Sequence, residues 1–233
     1  PHLMGHEGCG TVLETGPGVN SVREGDKVVL HWKKGSGINS ETPIYKWRGS
    51  KLNAGWVTTF NKHAVISENR CTKIDQNVDN DNAALFGCAV TTGFGVVENN
   101  AKLKIGESIV VFGAGGIGLN IIQAAKLVTA YPIIAVDLFD KRLKLASQFG
   151  ATHLINTNEK DFLEELKKIT NNLDVFIDNT GLPSIIEMGY EAINSEGRLI
   201  LVGVPNAGNN INIFSLPLHF GKRIQGSFGG ECK

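Results

Sequence analysis

The chain has 233 residues, 42% of them hydrophobic, and its 23 Lys+Arg balance its 23 Asp+Glu. That length suits one large domain or one and a half ordinary ones. The balanced charge gives no basis for nucleic acid or an anionic membrane as partner, and no apolar run approaches a membrane span. Four scattered cysteines (Cys9, Cys71, Cys88, Cys232) are too few for a disulfide scaffold and predict a reducing, cytoplasmic setting. The first residue is Pro1 and the last three, Glu231-Cys232-Lys233, follow a strand-like run. The sequence therefore reads as an internal piece of a longer protein.

Residues from His2 to about Ile74 have a β-rich pattern. Strands are expected at Thr11-Val12-Leu13, Lys27-Val28-Val29-Leu30, Trp56–Phe60 and His63–Ile66, with a turn at Thr15–Gly18. Between Trp32 and Gly55 lies a polar stretch rich in Gly, Ser, Lys and Asn, expected as a surface loop or lobe. Asp75–Asp81 is polar and reads as a link.

From Ala83 helices and strands alternate. Ala83–Phe86 and Thr91–Asn99 read as helical. The apolar run Ser108–Phe112 is a strand buried on both faces, and Ile117, Ile121, Ala125 and Val128 fall at helical spacing after it. Pro132–Val136 is the next strand. Asp140 is expected to cap a helix through Phe149, stopped by Gly150. His153–Asn156 follows as a strand, and Asn158 opens the amphipathic Phe162, Leu163, Leu166, Ile169 helix. Asp174–Asp178 and Gly197–Val202 are strands around a helix from Pro183 to Ile193. A short helix near Leu216–Phe220 leads to a sixth strand at Lys222–Ser227. Six strands joined by crossover helices predict a doubly wound parallel sheet of Rossmann type.

The first of these strands ends in Gly113-Ala114-Gly115-Gly116-Ile117-Gly118, which fits G-x-G-x-x-G. Its first Gly permits the tight turn, the second leaves room for a pyrophosphate, and the third lets helix and sheet close up. The helix N-terminus then offers free N–H groups and a partial positive charge to phosphates. Asp137 ends the second strand, where a carboxylate can bind a ribose 2′-OH and repel a 2′-phosphate, favouring NAD over NADP. Asn179-Thr180-Gly181 and Val202-Gly203-Val204 should share that crevice at the carboxyl ends of the strands.

Two further fragments invite a metal reading, Gly5-His6-Glu7-Gly8 and Gly87-Cys88-Ala89. Zinc takes imidazole nitrogen and thiolate sulfur readily. By residue chemistry alone, a structural His and a small buried Cys are the more usual readings, and zinc stays open beside them.

Gly5-His6-Glu7-Gly8-Cys9-Gly10, Gly25-Asp26-Lys27-Val28, Gly87-Cys88 with Thr91-Thr92-Gly93, the Gly-rich turn, Val136-Asp137, Phe149-Gly150-Ala151 and Val202-Gly203-Val204-Pro205 occur in one order along the chain. In this the sequence resembles the zinc-dependent medium-chain alcohol dehydrogenase family. The resemblance implies a partial β-rich, GroES-like catalytic domain at 1–82, a Rossmann domain at 83–227, and a return toward the catalytic domain at 228–233. It implies zinc ligands at His6 and Cys88, with Glu7 beside the metal. Thr92, Ile117, Thr180, Val202, Gly203 and Val204 would line the nicotinamide cleft. Arg142 would lie near the adenosine ribose and Phe228 near the carboxamide. Trp32 stands where the family often places a bulky substrate-pocket side chain.

The activity so implied is hydride transfer between an alcohol, held as its alkoxide on zinc, and NAD, with a small alcohol or carbonyl as substrate and a homo-oligomeric assembly. The family's first zinc ligand, a Cys, and the Ser or Thr of its proton relay are expected upstream of Pro1. In an extended strand Cys9 points away from His6 and is no substitute. The family's four-cysteine structural zinc lobe is missing, since nothing between Cys9 and Cys71 is a cysteine. One catalytic zinc and no structural zinc is therefore the expectation. The rival readings are a zinc-free quinone or enone reductase of the same superfamily and a non-catalytic dinucleotide-binding protein.

Overall fold

The computed structural model describes residues 2–232 and divides the chain into two compact units between Thr91 and Thr92. The sequence patterns put that division at 82/83, and residues 228–232 stand with the second unit.

In the first unit the strands are β1 (His2–Leu3), β2 (Glu7–Thr11), β3 (Lys27–His31), β4 (Tyr45–Trp47), β5 (Ser50–Ala54) and β6 (Cys71–Lys73). They form two three-stranded sheets, ordered β2-β3-β6 and β1-β5-β4. Val28 and Val29 of β3 are buried between their antiparallel neighbours. The strand expected at 11–13 is displaced toward the N-terminus, because the ladder with β3 sets its register from Glu7 to Thr11. The strands expected at 56–60 and 63–66 do not form. Thr59 and Phe60 both donate their N–H to the Met4 carbonyl, so no ladder starts there, and Trp56, Phe60 and Val65 lie exposed. The polar stretch 32–55 contains the hairpin β4–β5.

Residues 35–40 of that stretch are tied to the single helical turn Glu68–Arg70. Gly35 N–H donates to Asn69 O at 2.7 Å, Ile38 N–H to Glu68 Oε2 at 2.7 Å, and Ser40 N–H to Ser67 Oγ at 2.7 Å. Glu68 Oε1 accepts from Asn20 N–H at 2.8 Å and Ser21 N–H at 2.9 Å. These backbone donors, from Ile38, Asn20 and Ser21, hold the Glu68 carboxyl down at about 2. One carboxylate thus gathers three segments distant in sequence.

Helix α1 (Asn80–Ala84) is capped by Asp79, and α2 (Ala89–Gly95) contains the division between the units. Beyond it the chain stays helical, in a widened turn, to Ala101, past the stop expected near Asn99; Val96 and Ala101 are fully buried and left-handed Lys102 ends the turn.

The second unit is built on β7 (Ile109–Phe112), β8 (Ile133–Asp137), β9 (His153–Asn156), β10 (Leu173–Asp178), β11 (Ile193–Leu201) and β12 (Arg223–Gly226). All pairings in its six-stranded sheet are parallel, in the order β12-β11-β10-β7-β8-β9. Helices α3 (Gly116–Leu127) and α4 (Asp140–Phe149) cover one face; α5 (Phe162–Ile169) and α6 (Pro183–Ala192) cover the other; a short α7 (Leu216–His219) precedes β12. Alternation along β7 shows why both faces must be apolar. Ile109 and Val111 join Ile121, Ala125 and Leu143, whereas Val110 and Phe112 join Phe162, Phe176 and Tyr190. Phe112, Phe162 and Phe176 meet with ring centroids 5.6–5.9 Å apart.

Two expected caps are corrected. Asp161, not Asn158, caps α5 by accepting Glu164 N–H at 2.9 Å. Asp140 is the first helical residue of α4, and its carboxylate is engaged by Asn156 Nδ2 at 2.7 Å. Among the described residues no helix is long and apolar enough to cross a membrane.

Candidate functional site

In the first unit, Gly5 has φ +95°, and a side chain there would strike Thr59 and Phe60, so the chain turns sharply into β2 at His6. The segment 85–88 comes back to the same point. A Cβ on Gly87 would lie 2.4 Å from Leu30 O and 3.1 Å from Glu7 Cα. Only glycine allows that approach, and it brings Cys88 beside Glu7. The ligand atoms of His6, Glu7 and Cys88 then lie within 4.8 Å of one another. Among the described residues this is the one group of three or more His, Cys, Asp or Glu side chains placed to share an ion.

An imidazole nitrogen, a thiol sulfur and a carboxylate oxygen make a donor set that suits zinc. Glu7 Oε1 also accepts Ala89 N–H at 2.7 Å, so the carboxylate ties β2 to the residue after Cys88. The other thiols of this unit stand apart from the cluster: Cys9 Sγ faces Asn80 Oδ1 at 3.7 Å, and burial pushes its pKa up. Burial pushes the Cys71 thiol up to about 11. Neither thiol belongs to the cluster of ligand atoms.

In the second unit the three glycine roles expected of the turn after β7 are visible as geometry. Gly113 has φ +97° and turns the chain off the strand. A Cβ on Gly115 or Gly116 would meet nothing within 4 Å, which leaves open space at the N-terminus of α3. A Cβ on Gly118 would lie 2.1 Å from Gly113 O, so helix and turn are in backbone contact. Asp137 is buried, and its carboxylate accepts Ala114 N–H at 2.9 Å and Phe139 N–H at 3.1 Å. Arg142 Nη1 stands 3.6 Å from it, so the two residues expected near a ribose are neighbours. An open glycine cradle, free helix N–H groups and a carboxylate on the adjacent strand fit the pyrophosphate and ribose of a dinucleotide.

Residues 1–76 match the model of the alcohol dehydrogenase GroES-like domain and residues 116–233 that of the zinc-binding dehydrogenase. The chain is 32% identical over 262 residues to an S-(hydroxymethyl)glutathione dehydrogenase of Escherichia coli, with 99% of this chain and 70% of that protein covered. It belongs to the zinc-binding alcohol dehydrogenase family. The corresponding enzyme of Paracoccus denitrificans is also 32% identical, with 71% of its length covered. Among solved structures, a zinc-binding-domain alcohol dehydrogenase protein from Burkholderia ambifaria superposes with a TM-score of 0.89 at 30% identity. Benzyl alcohol dehydrogenase of Acinetobacter calcoaceticus gives 0.87 at 31%. Each covers 99% of this chain and 70% of the other.

The remaining family positions fall as follows. Trp32 follows β3, half-buried, and its carbonyl accepts from Arg70 Nη1. Thr92 is buried within α2, and Ile117 is half-buried in the first turn of α3. Thr180, Val202, Gly203 and Val204 lie at the carboxyl ends of β10 and β11, where a Cβ on Gly203 would lie 2.3 Å from Gly181 N. Val204 and Phe228 are exposed.

One residue of this site carries no motif signal. Asp178 is fully buried at the end of β10, and its carboxylate accepts from Thr180 and Gly181. Asn179 donates Nδ2 to Gly113 O at 3.2 Å. A strand-ending Asp followed by Asn-Thr-Gly was the available hint, since such residues bond their own following backbone.

Proposed function

We propose that the protein is an NAD- and zinc-dependent alcohol dehydrogenase, transferring a hydride from a primary or secondary alcohol to NAD and, in reverse, from NADH to the carbonyl. The observation that carries this is the meeting of His6, Glu7 and Cys88 within 4.8 Å although about 80 positions separate the first from the last. A metal-free reductase of the same fold has no need of that donor set.

His6 and Cys88 would hold the ion, the thiol as thiolate. Glu7, anchored by Ala89 N–H, keeps β2 and the Cys88 segment in register. When bound, zinc supplies Lewis acidity that lowers an alcohol's pKa, and NAD supplies the hydride acceptor. The Gly113–Gly118 turn would seat the pyrophosphate on the α3 N-terminus. Asp137 would accept from the ribose hydroxyl and, being anionic, disfavour a 2′-phosphate. Ile117, Thr92, Thr180, Val202, Gly203, Val204 and Phe228 would border the nicotinamide, Arg142 the adenosine ribose, and Trp32 the substrate.

The same reading takes one catalytic zinc, cytoplasmic action and a homo-oligomer. The last is supported by β12, an edge strand of the six-stranded sheet that a second copy can extend. Metal analysis tests the reading. Purified protein should carry about one zinc per chain, and Cys88→Ala should lose it while still binding NADH. Protein prepared with zinc present that carries none would overturn it.

A further inference from the structure

The crevice of the second unit has two sides, set by topology. From β7 the chain moves outward through β8 to β9, then crosses back to β10 and moves outward the other way through β11 to β12. A dinucleotide lies across such a reversal, one nucleotide on each side. Asp137, on β8, marks the adenosine side. The other half must lie against the turns that leave β10 and β11.

Both turns are built on one residue. Asp178 is 0% exposed. Its Oδ1 accepts from Thr180 N–H at 2.9 Å and from Thr180 Oγ1–H at 2.6 Å, and its Oδ2 from Gly181 N–H at 3.0 Å. Its main-chain carbonyl accepts from Val202 N–H at 2.8 Å and Gly203 N–H at 2.9 Å. Thr180 Oγ1 in turn accepts Leu182 N–H at 3.1 Å. The side chain therefore shapes the 179–182 turn, and the main chain holds the 202–203 turn against it. The contact is close enough that a Cβ on Gly203 would lie 2.6 Å from Thr180 N.

A buried carboxylate is costly unless donors surround it, and the three on Asp178 all come from the 179–182 turn, so the charge and the turn's shape depend on each other. We propose that Asp178 is a positioning residue for the nicotinamide half of the dinucleotide, fixing the two turns that flank the reacting ring while making no contact with it. This rests on the NAD-site reading given above.

Binding of two probes to the full chain separates the halves: NADH, followed by its nicotinamide fluorescence, and AMP, which samples only the adenosine side. Asp178→Asn turns an acceptor into a donor facing Gly181 N–H. It should weaken NADH about tenfold and leave AMP within about twofold. A merely structural role would weaken both probes together. Thr180→Val and Thr180→Ser give a milder pair, the first losing the 2.6 Å bond and the second keeping it. Valine should cost about threefold on NADH and serine should bind as the wild type.

Equal losses for NADH and AMP, or unchanged NADH affinity in both Asp178→Asn and Thr180→Val, would overturn the proposal and leave the NAD site standing. A wild-type chain that binds neither NADH nor AMP would remove the NAD site and this proposal with it.

Discussion

Asp137 shows how one carboxylate can serve structure and selectivity together. Its two oxygens accept Ala114 N–H and Phe139 N–H, which locks the glycine turn to β8, and Arg142 sits 3.6 Å away with its guanidinium over the Phe139 ring. Replacing it therefore disturbs the cradle and removes the anion. Asp137→Ser should weaken NADH by about tenfold, and NADPH by less, because the charge that repels a 2′-phosphate is gone while Arg142 remains. The measurement is the ratio of the two affinities. If NADH and NADPH weaken by the same factor, Asp137 acts only on the turn and has no role at the ribose. Asp137 stands out in the sequence because it ends an apolar strand at the right interval after the glycines. Asp178 is placed as deeply and escapes notice, because its carboxylate is bonded by Thr180 and Gly181, which follow it closely, and nothing periodic marks them.

Elements were legible in proportion to how far burial fixed their pattern. The strands of the second unit lie between two helical layers, so runs such as Ile109–Phe112 and Ile133–Val136 are apolar throughout and announce themselves. In the first unit Trp56–Phe60 has the composition of a strand, yet the N–H groups of Thr59 and Phe60 both go to the single Met4 carbonyl and the rings of Trp56 and Phe60 stay exposed. Composition names the residues that like a sheet and says nothing of whether a partner strand is there. The metal cluster was legible only through the family resemblance, since His6 and Cys88 alone fit bland roles. Its mechanical precondition is Gly87, whose absent side chain lets the 85–88 segment touch Leu30 O. Gly87→Ala must displace backbone, at a cost of about 1–3 kcal/mol, and shift Cys88. Zinc content should fall well below the wild type while NADH affinity, a property of residues in the second unit, stays within about twofold. Full zinc occupancy in Gly87→Ala would show that the close approach is not what positions Cys88.

At the scale of the whole molecule the titrating groups set how stability responds to pH. Glu68 is held at about 2 by backbone donors against an ordinary 4.5, and Asp26 and Glu165 are also lowered, chiefly by bonds to Lys73 and Lys168. Lowered carboxylates bind fewer protons folded than unfolded. Their stabilisation is complete above pH 4.5 and is lost as pH falls toward 2. Cys71 works in the opposite sense. Burial raises it from 9.0 to about 11, so the folded state holds its proton longer and stability declines as pH rises between those values. Denaturation midpoints measured across pH should accordingly fall on both sides. Glu68→Gln should lower the midpoint at neutral pH, since its NH2 would face a backbone N–H of Ile38 or of Asn20 and Ser21, and should flatten the acid limb. Cys71→Ser should flatten the alkaline limb and leave the acid one alone. The acid limb also bears on the 32–55 stretch, where the family resemblance leads one to expect a structural zinc lobe and no cysteine is present. Here Glu68 ties residues 20–21 and 38 to its own turn through three hydrogen bonds. Chelation should therefore leave the fold of that stretch intact, and acid should release it. Protease cleavage between residues 32 and 44 that appears on chelation at pH 7, and not on acidification, would assign that tie to a metal instead.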